Sequence, residues 1–257
     1  MEIQDETKIW RYMDLGKLVC LLADKALFFT CLSDLLGDDP YEAATPKAHI
    51  REISKIVQER LDLLVEYRRL ISTESQVELD ESIRGFVEVI KGATATVAPG
   101  FGVNCWHENA GESAAMWKLY SESGKGIAIE STVGQLKESL GNIEHLQFDM
   151  VRYSDFENDP IEVGHRHYLG FQKRGCFSYE REFRAMFMLH ERGVGQNVPC
   201  DIEKLITTVW VSPYAPGYMI RAVRALCAGE IQLLKKPIIR SKLLEAPEYG
   251  FEVKLPF

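Results

Sequence analysis

The spacing of apolar residues predicts short strands and helices that alternate along most of the chain. Residues 9–13 form an aromatic-rich run that is typical of a strand. Asp14 then offers an N-cap to a helix whose apolar positions, among them Leu18 and Leu22, recur at helical spacing. The other predicted strands cover residues 26–31, 101–106, 126–131, 148–153, 183–189, 205–211 and 236–242. The other short helices are predicted at 112–120, 133–140, 161–175 and 216–228.

Two longer helices are predicted between the second and third strands. Thr45 and Pro46 make a favourable helix start, because Thr caps the helix and Pro fits its first turn. The apolar stripe that follows continues to about residue 71, and a second helix covers about 79–91. We expect residues 45–92 to be a helical insertion that packs on itself and the sheet, or that forms an oligomer or partner interface.

Together these elements predict an α+β fold. The sum of these strands and helices favours a mixed, mostly antiparallel sheet. The length of 257 residues is enough for one large core. We therefore predict a single α+β domain over residues 1–257, interrupted by the helical insertion.

Charge and cysteine usage narrow the classes of function. A net charge of -8 argues against a protein that coats nucleic acid, since such binding needs concentrated Lys and Arg. The six cysteines show no Cys-x-x-Cys spacing, the first residues lack a signal-peptide pattern, and no segment is apolar enough to span a membrane. We therefore expect a cytoplasmic protein with free thiols, no bound metal and no membrane partner.

The segment 105–130 is the first candidate for a functional site. It holds two of the four tryptophans among several charged residues. Met116, Trp117 and Tyr120 fall on one face of the predicted helix. Such a face either lines a pocket or forms an ordinary core stripe, and the sequence leaves both readings open.

The first predicted strand carries the second candidate. Arg11 lies there between Trp10 and Tyr12. An arginine among aromatic residues can bind a phosphate or a carboxylate through two parallel hydrogen bonds. The alternative is an edge-strand arginine whose guanidinium extends to water.

A run of alternating charges before the strand at 183–189 is the third candidate. In an extended segment, Glu180, Glu182 and Arg184 would share one face. Two carboxylates and an arginine on one face can tune each other's protonation, as acid–base catalysis or stabilisation of an oxocarbenium-like centre requires. They can equally form a structural ladder of ion pairs.

An acidic loop after the second strand is the fourth candidate. Asp38, Asp39 and Glu42 could cap a helix, bind a cation or hold an arginine, and a capping or turn role is the commonest for such residues. A nucleic-acid-processing enzyme that uses these carboxylates with a divalent ion is a further, weaker alternative, because the whole chain is acidic.

Several of these motifs, in order along the chain, resemble a widespread bacterial family, the domain of unknown function numbered twenty-nine seventy-one. The family's Phe-Asn-Asp before Pro is replaced here by Leu36-Gly37-Asp38, so no role for that Asn carries over. The resemblance implies a site without implying a reaction. The matching residues are Arg11-Tyr12, Leu27-Phe28-Phe29, Asp39-Pro40-x-Glu42, Met116-Trp117-x-x-Tyr120, Gly126-x-Ala128-Ile129-Glu130, Tyr179-x-x-Glu182-x-Arg184 and the run from Val209 to Pro213.

A weaker, fold-level similarity is to ADP-ribosyltransferases, in which a first-strand residue holds NAD and a late-strand glutamate orients the ribose. The similarity implies that Glu182 is the catalytic carboxylate, since an oxocarbenium-like centre is stabilised by a fixed negative charge. It implies NAD as substrate and a protein or nucleic-acid target, as in toxins or phage-defence effectors. The residues assigned to NAD binding are Arg11, Tyr12, Phe29, Trp117, Tyr120 and Arg184.

The alternative function is a non-catalytic sensor that binds a nucleotide or a peptide. It would use the same aromatic segment, around Trp117, without any chemical step. Consumption of NAD distinguishes the two functions, because only an ADP-ribosyltransferase consumes it.

Overall fold

A computed structural model describes residues 3–95, 98–120, 124–159, 166–228 and 235–246. The chain divides into two compact units whose segments interleave in sequence. The first unit consists chiefly of residues 27–108 and 140–199, and the second of residues 4–26, 109–139 and the described residues from 200 onward.

The helices and strands follow the order that the apolar pattern predicts. The strands are β1 (Lys8–Met13), β2 (Ala26–Cys31), β3 (Phe101–Glu108), β4 (Ile127–Thr132), β5 (Gln147–Met150), β6 (Arg152–Ser154), β7 (Gln172–Arg174), β8 (Glu182–Met188), β9 (Gln196–Pro199), β10 (Thr208–Val211) and β11 (Ile238–Arg240). The α-helices are α1 (Leu15–Asp24), α2 (Lys47–Arg68), α3 (Thr73–Ala95), α4 (Ala114–Tyr120), α5 (Val133–Leu140), α6 (Ile202–Leu205) and α7 (Tyr218–Ala228).

In the second unit, four strands pair in the order β11-β10-β4-β1. The pairs β1–β4 and β4–β10 are antiparallel, whereas β10–β11 is parallel. Asp14 caps α1 as expected, because its carboxylate accepts a hydrogen bond from the backbone N–H of Lys17 at 2.8 Å. The apolar face of α1 buries Leu18, Leu21 and Leu22.

The core of the second unit contains a cluster of large aromatic side chains. Trp10, Tyr12, Met116, Trp117 and Ala128 are buried together. The rings of Tyr12 and Trp117 meet edge to face, with their centroids 4.9 Å apart. Residues from β1, β4 and α4 therefore form one packed layer.

In the first unit, the strands pair in the order β9-β2-β3-β8-β5. The β3–β8 and β5–β8 pairs are antiparallel, so β8 is hydrogen-bonded on both edges. The register places Cys105 opposite Arg184 and His107 opposite Glu182. The short strands β6 and β7 form a separate parallel pair.

Helices α2 and α3 contact each other within the first unit and lie between β2 and β3, where the insertion was expected. No described side chain of α2 is fully buried. Half-buried apolar residues recur at helical spacing on α2 and on α3 and form the seam between them. They are Ile53, Val57, Leu61 and Leu64 on α2, and Leu79, Ile83 and Val87 on α3.

The observed fold is α+β with a mixed, mostly antiparallel sheet and a helical insertion, as predicted. The assignment of residues 1–257 to one domain stays a prediction. None of the described helices is long and apolar enough to cross a membrane.

The structure differs from the predicted helix at 161–175. Its described part is a 3₁₀ helix, Arg166–Phe171, followed by the strand β7. The three residues of β7 are held by pairing with β6, and so short a strand leaves no recognisable period in the sequence. The predicted strand at 205–211 is likewise shorter, because α6 occupies residues 202–205.

The burial of Trp117 predicts a large loss of stability on truncation. Trp117→Ala should lower the free energy of unfolding by about 3–5 kcal/mol, because it leaves a cavity beside Tyr12. The matched control is Tyr120→Ala in the same helix, whose side chain is 45% exposed and whose loss should cost about 1 kcal/mol or less. Urea unfolding followed by far-UV circular dichroism measures both, and equal losses would contradict the assignment of Trp117 to the core.

Candidate functional site

A buried ionic cluster in the first unit unites two of the motifs noted in the sequence. Arg184 on β8 is fully buried and makes two parallel hydrogen bonds to Glu182, from Nε to Oε1 at 2.8 Å and from Nη2 to Oε2 at 2.9 Å. Its Nη1 donates to Glu42 Oε1 at 2.6 Å and to the backbone oxygen of Gly170 at 2.5 Å. The guanidinium therefore joins β8 to the acidic loop and to the 3₁₀ helix.

Lys173 on β7 completes the ionic cluster. Its ammonium donates to Glu180 Oε2 at 2.5 Å and lies 3.5 Å from Glu182 Oε2 and 3.8 Å from Glu42 Oε2. The ionic cluster thus contains three carboxylates and two cations, all nearly inaccessible to water. Charges buried in this way are tolerated only when they are paired and hydrogen-bonded.

The surroundings of Glu182 and Glu180 shift the pKa values of these two carboxyl groups in opposite directions. Burial alone would raise the pKa of Glu182, but the charge and hydrogen bonds of Arg184 lower it to about 2. For Glu180, burial outweighs the contact with Lys173 and raises the pKa. Burial would lower the pKa of Lys173, but Glu182 and Glu180 raise it, so this ammonium stays charged.

The ionic cluster has a structural role in the described conformation. Both oxygens of Glu182 bind Arg184, and the backbone N–H of Glu182 donates to the phenol oxygen of Tyr153 at 2.8 Å. The residue is 6% exposed. A catalytic carboxylate must contact its substrate, and Glu182 would have to leave Arg184 to do so.

Beside the ionic cluster, a fourth buried carboxylate, that of Asp39, binds Arg174, the neighbour of Lys173. Asp39 Oδ1 accepts hydrogen bonds from Arg174 Nη2 at 2.6 Å and from the backbone N–H of Tyr41 at 3.0 Å. The guanidinium of Arg174 lies over the ring of Tyr41, 4.5 Å from its centroid, and 5.4 Å from that of Phe177. Arg174 Nε is buried and has no hydrogen-bond acceptor among the described residues.

The side chain of Arg174 forms part of the wall of a cleft of about 370 Å³. The ring of Phe156 meets that of Tyr41 edge to face, with centroids 6.3 Å apart. A cleft of this size, with two aromatic residues in its wall, has the dimensions of a small-ligand site. It is lined by Tyr41, Ser154, Asp155, Phe156, Glu157, Arg174, Gly175 and Cys176.

The acidic loop provides the link between the ionic cluster and the cleft. Asp39 and Glu42 hold one arginine each, Arg174 and Arg184, which is one of the roles that the sequence left open. Lys173 and Arg174 are adjacent on β7 and bind different carboxylates. The sequence did not predict which carboxylate each cation binds. It shows only two adjacent basic residues, and their partners are distant in the chain.

Of the predicted site residues in the first unit, two are brought together. Glu182 binds Arg184 within the ionic cluster, which fits the ion-pair reading of the charged run. Glu180 belongs to a 3₁₀ helix rather than to the strand, and it reaches the ionic cluster through Lys173. Phe29 is fully buried and packs edge to face on Phe187, with centroids 4.9 Å apart.

In the second unit, Tyr12 and Trp117 are core residues, which fits the core reading of the aromatic segment. The phenol oxygen of Tyr12 accepts a hydrogen bond from the backbone N–H of Ser113 at 2.9 Å, and burial raises its pKa to about 12. Trp117 Nε1 donates to Glu112 at 2.9 Å. Tyr120 is 45% exposed.

Arg11, the remaining predicted NAD-binding residue, is half-buried on β1, opposite Ile129 of β4. Its assignment, and those of the other predicted NAD-binding residues, stay predictions. Within the described ranges, no three His, Cys, Asp or Glu side chains are grouped so that they could hold a metal ion.

No protein-family model, no curated protein and no solved structure matches this chain. The resemblances to the bacterial domain family and to ADP-ribosyltransferases therefore stay predictions.

Breaking the ionic cluster should destabilise the protein strongly. Glu182→Gln removes one charge and leaves Arg184 buried with Glu42 as its remaining carboxylate, which should cost about 3–5 kcal/mol of unfolding free energy. The control is Glu108→Gln, which breaks a pair with the exposed guanidinium of Arg181 and should cost about 1 kcal/mol or less. Urea unfolding at neutral pH measures both, and a loss of less than about 1 kcal/mol for Glu182→Gln would contradict the assigned role.

The lowered pKa of Glu182 also predicts a loss of stability in acid. The native pKa of about 2 lies below the ordinary value of 4.5, so the contribution of Glu182 is complete above pH 5 and is lost as the pH falls towards 2. The loss should be of the order of 3 kcal/mol. The raised pKa of Glu180 has the opposite sign, because its neutral form is favoured in the native state.

Unfolding free energies measured between pH 7 and pH 2 test this dependence. Glu182→Gln should flatten the decline below pH 5, whereas Glu180→Gln should retain it. A decline of the same slope in the Glu182→Gln variant would exclude Glu182 as its source.

Proposed function

We propose that the protein is a non-catalytic binding module whose cleft in the first unit takes a nucleotide, a ligand with a planar ring and an anionic group. The observation that carries the proposal is the set of contacts made by the Arg174 side chain at the cleft. Its guanidinium is stacked on Tyr41 and anchored by Asp39, while 32% of its side-chain surface stays exposed at the wall of the cleft.

The chemistry of Arg174 suits a phosphate. A guanidinium presents N–H donors in its plane and can stack through its faces at the same time. Here Tyr41 and Phe177 lie against the guanidinium, and Asp39 occupies Nη2. The exposed part of the guanidinium can donate to a phosphate oxygen, and an arginine that is already oriented loses less entropy on binding.

The aromatic walls suit a planar ring. Tyr41 is 38% exposed, so part of its ring is open to a ligand, whereas Phe156 is buried behind it. Stacking on an aromatic side chain is worth about 1–3 kcal/mol per base. The cleft volume of about 370 Å³ falls within the range of about 300–1,000 Å³ that is usual for small-ligand sites.

The two carboxylates at the cleft are both hydrogen-bonded, and the charge of Glu157 is offset by Lys47. Glu157 accepts from Lys47 Nζ at 2.5 Å, and its backbone oxygen accepts from Arg51. Asp155 accepts hydrogen bonds from Asn158 and from the backbone N–H of Glu157, and these bonds lower its pKa. Two further cations, Lys47 and Arg51, therefore contact Glu157, which lines the cleft.

The catalytic alternative, transfer of ADP-ribose from NAD, has less support. It requires Glu182 to exchange Arg184 for a substrate hydroxyl, at the cost of leaving a buried guanidinium with one fewer partner. NAD is itself a nucleotide, so the two functions are separated by turnover and not by binding alone.

Calorimetric titration with AMP, ATP, NAD, adenosine and inorganic phosphate tests the proposal. We expect the nucleotides to bind more tightly than either adenosine or phosphate, because the two halves of the site act together. Arg174→Gln should weaken nucleotide binding about ten- to hundredfold, as expected for the loss of a charged hydrogen bond worth about 1.5–3 kcal/mol. Tyr41→Ala should weaken it by at least about fivefold.

The matched control is Arg192→Gln, at an exposed residue of the same unit that does not line the cleft. This variant should bind nucleotides like the parent protein. If no nucleotide binds at millimolar concentration, or if Arg174→Gln and Arg192→Gln bind equally, the proposal is wrong. Consumption of NAD by the parent protein that is lost in Glu182→Gln would establish the transferase instead.

A further inference from the structure

Helix α2 carries a second apolar stripe that α3 does not cover. Ile56, Leu63, Tyr67 and Leu70, the last lying just after the helix, are exposed to 54%, 60%, 55% and 81%. At 3.6 residues per turn, the three positions within α2 fall within an arc of about 40°, and Leu70 follows the end of the helix. We call these four residues the outer stripe.

The outer stripe is distinct from the seam with α3. The seam residues are half-buried, whereas every residue of the outer stripe exposes more than half of its surface. Apolar side chains spaced seven and four residues apart on one helix face are typical of a helix that packs into a groove or against another helix. Large apolar side chains that are contiguous and exposed mark an interaction surface.

The two edges of the outer stripe carry charges of opposite sign. Glu52, Glu59 and Glu66 recur every seven residues along one edge, and all three are exposed. We call them the acidic row. The other edge carries Arg60. In coiled-coil packing, residues at such flanking positions set the choice of partner.

The geometry points to a partner protein that docks on the outer stripe through an amphipathic helix whose apolar face is bordered by lysine or arginine. The acidic row selects this charge, since opposite charges along an interface favour the correct partner and like charges exclude others. A second copy of this chain fits less well. In an antiparallel pair of α2 helices the same edges meet, so Glu59 would face Glu66 of the other copy.

The expected affinity is modest. Burial of large apolar side chains favours association, and much of this gain is offset by the entropy lost on association. An interface centred on four such residues therefore predicts a Kd of the order of micromolar, with a charge-dependent part that weakens with salt. This inference does not rest on the ligand of the cleft.

The probe is a synthetic helical peptide of about three heptads, with Leu at positions a and d and Lys at e and g. Its counterpart has Glu in place of every Lys. Fluorescence anisotropy with the full chain should show that the Lys peptide binds at least tenfold more tightly than the Glu peptide. The triple variant E52K/E59K/E66K should reverse this preference.

The apolar part of the surface is tested by Leu63→Glu, which should weaken binding of the Lys peptide at least tenfold. The matched control is Leu119→Glu on α4, an equally exposed leucine at 57%, which should bind like the parent protein. Because both leucines are exposed, circular dichroism should show unchanged helix content in the two variants.

Two results would overturn the inference. One is equal binding of the Lys and Glu peptides, or no binding of either. The other is a concentration-dependent dimer in analytical ultracentrifugation that Leu63→Glu abolishes and Leu119→Glu preserves, which would assign the outer stripe to a second copy of the chain.

Discussion

The arrangement of the first unit depends on the burial of one guanidinium. Arg184 cannot release its proton in a protein, so its charge must be balanced wherever the fold places it. Glu182 on the same strand supplies two hydrogen bonds, and Glu42 and the backbone of Gly170 supply the others. Segments far apart in sequence are therefore fixed against β8 by a requirement of charge and not only by apolar packing.

The position of the cleft walls depends indirectly on the need to balance the buried charge of Arg184. Glu42 belongs to the same loop as Asp39, and Lys173 is the neighbour of Arg174 on β7. When the ionic cluster fixes Glu42 and Lys173, it also fixes the residues beside them that form the wall of the cleft. A cleft whose walls are held in this way would need little rearrangement to bind a ligand, which would favour selectivity for ligand shape and charge.

Local sequence patterns were sufficient to predict most of the helices and strands. They were not sufficient to predict the tertiary contacts of the side chains. Asp14 marks the start of α1 through its own side chain, so the sequence alone reveals it. Trp117 has the same spacing whether it lines a pocket or fills a core, and only the packing of Tyr12 against it decides. The sequence shows that Glu182 and Arg184 can share a face, but the third partner, Glu42, lies 142 residues away from Arg184.

Helix α2 begins at the cleft, where the backbone N–H of Ala48 donates to the carbonyl of Phe156 at 3.2 Å and Lys47 binds Glu157. Its 22 residues extend for about 33 Å at 1.5 Å per residue. For a straight helix of that length, a tilt of about 10° at the cleft would displace the far end, near Leu70, by about 6 Å. A single continuous helix thus joins the residues beside the cleft to the last residues of the outer stripe.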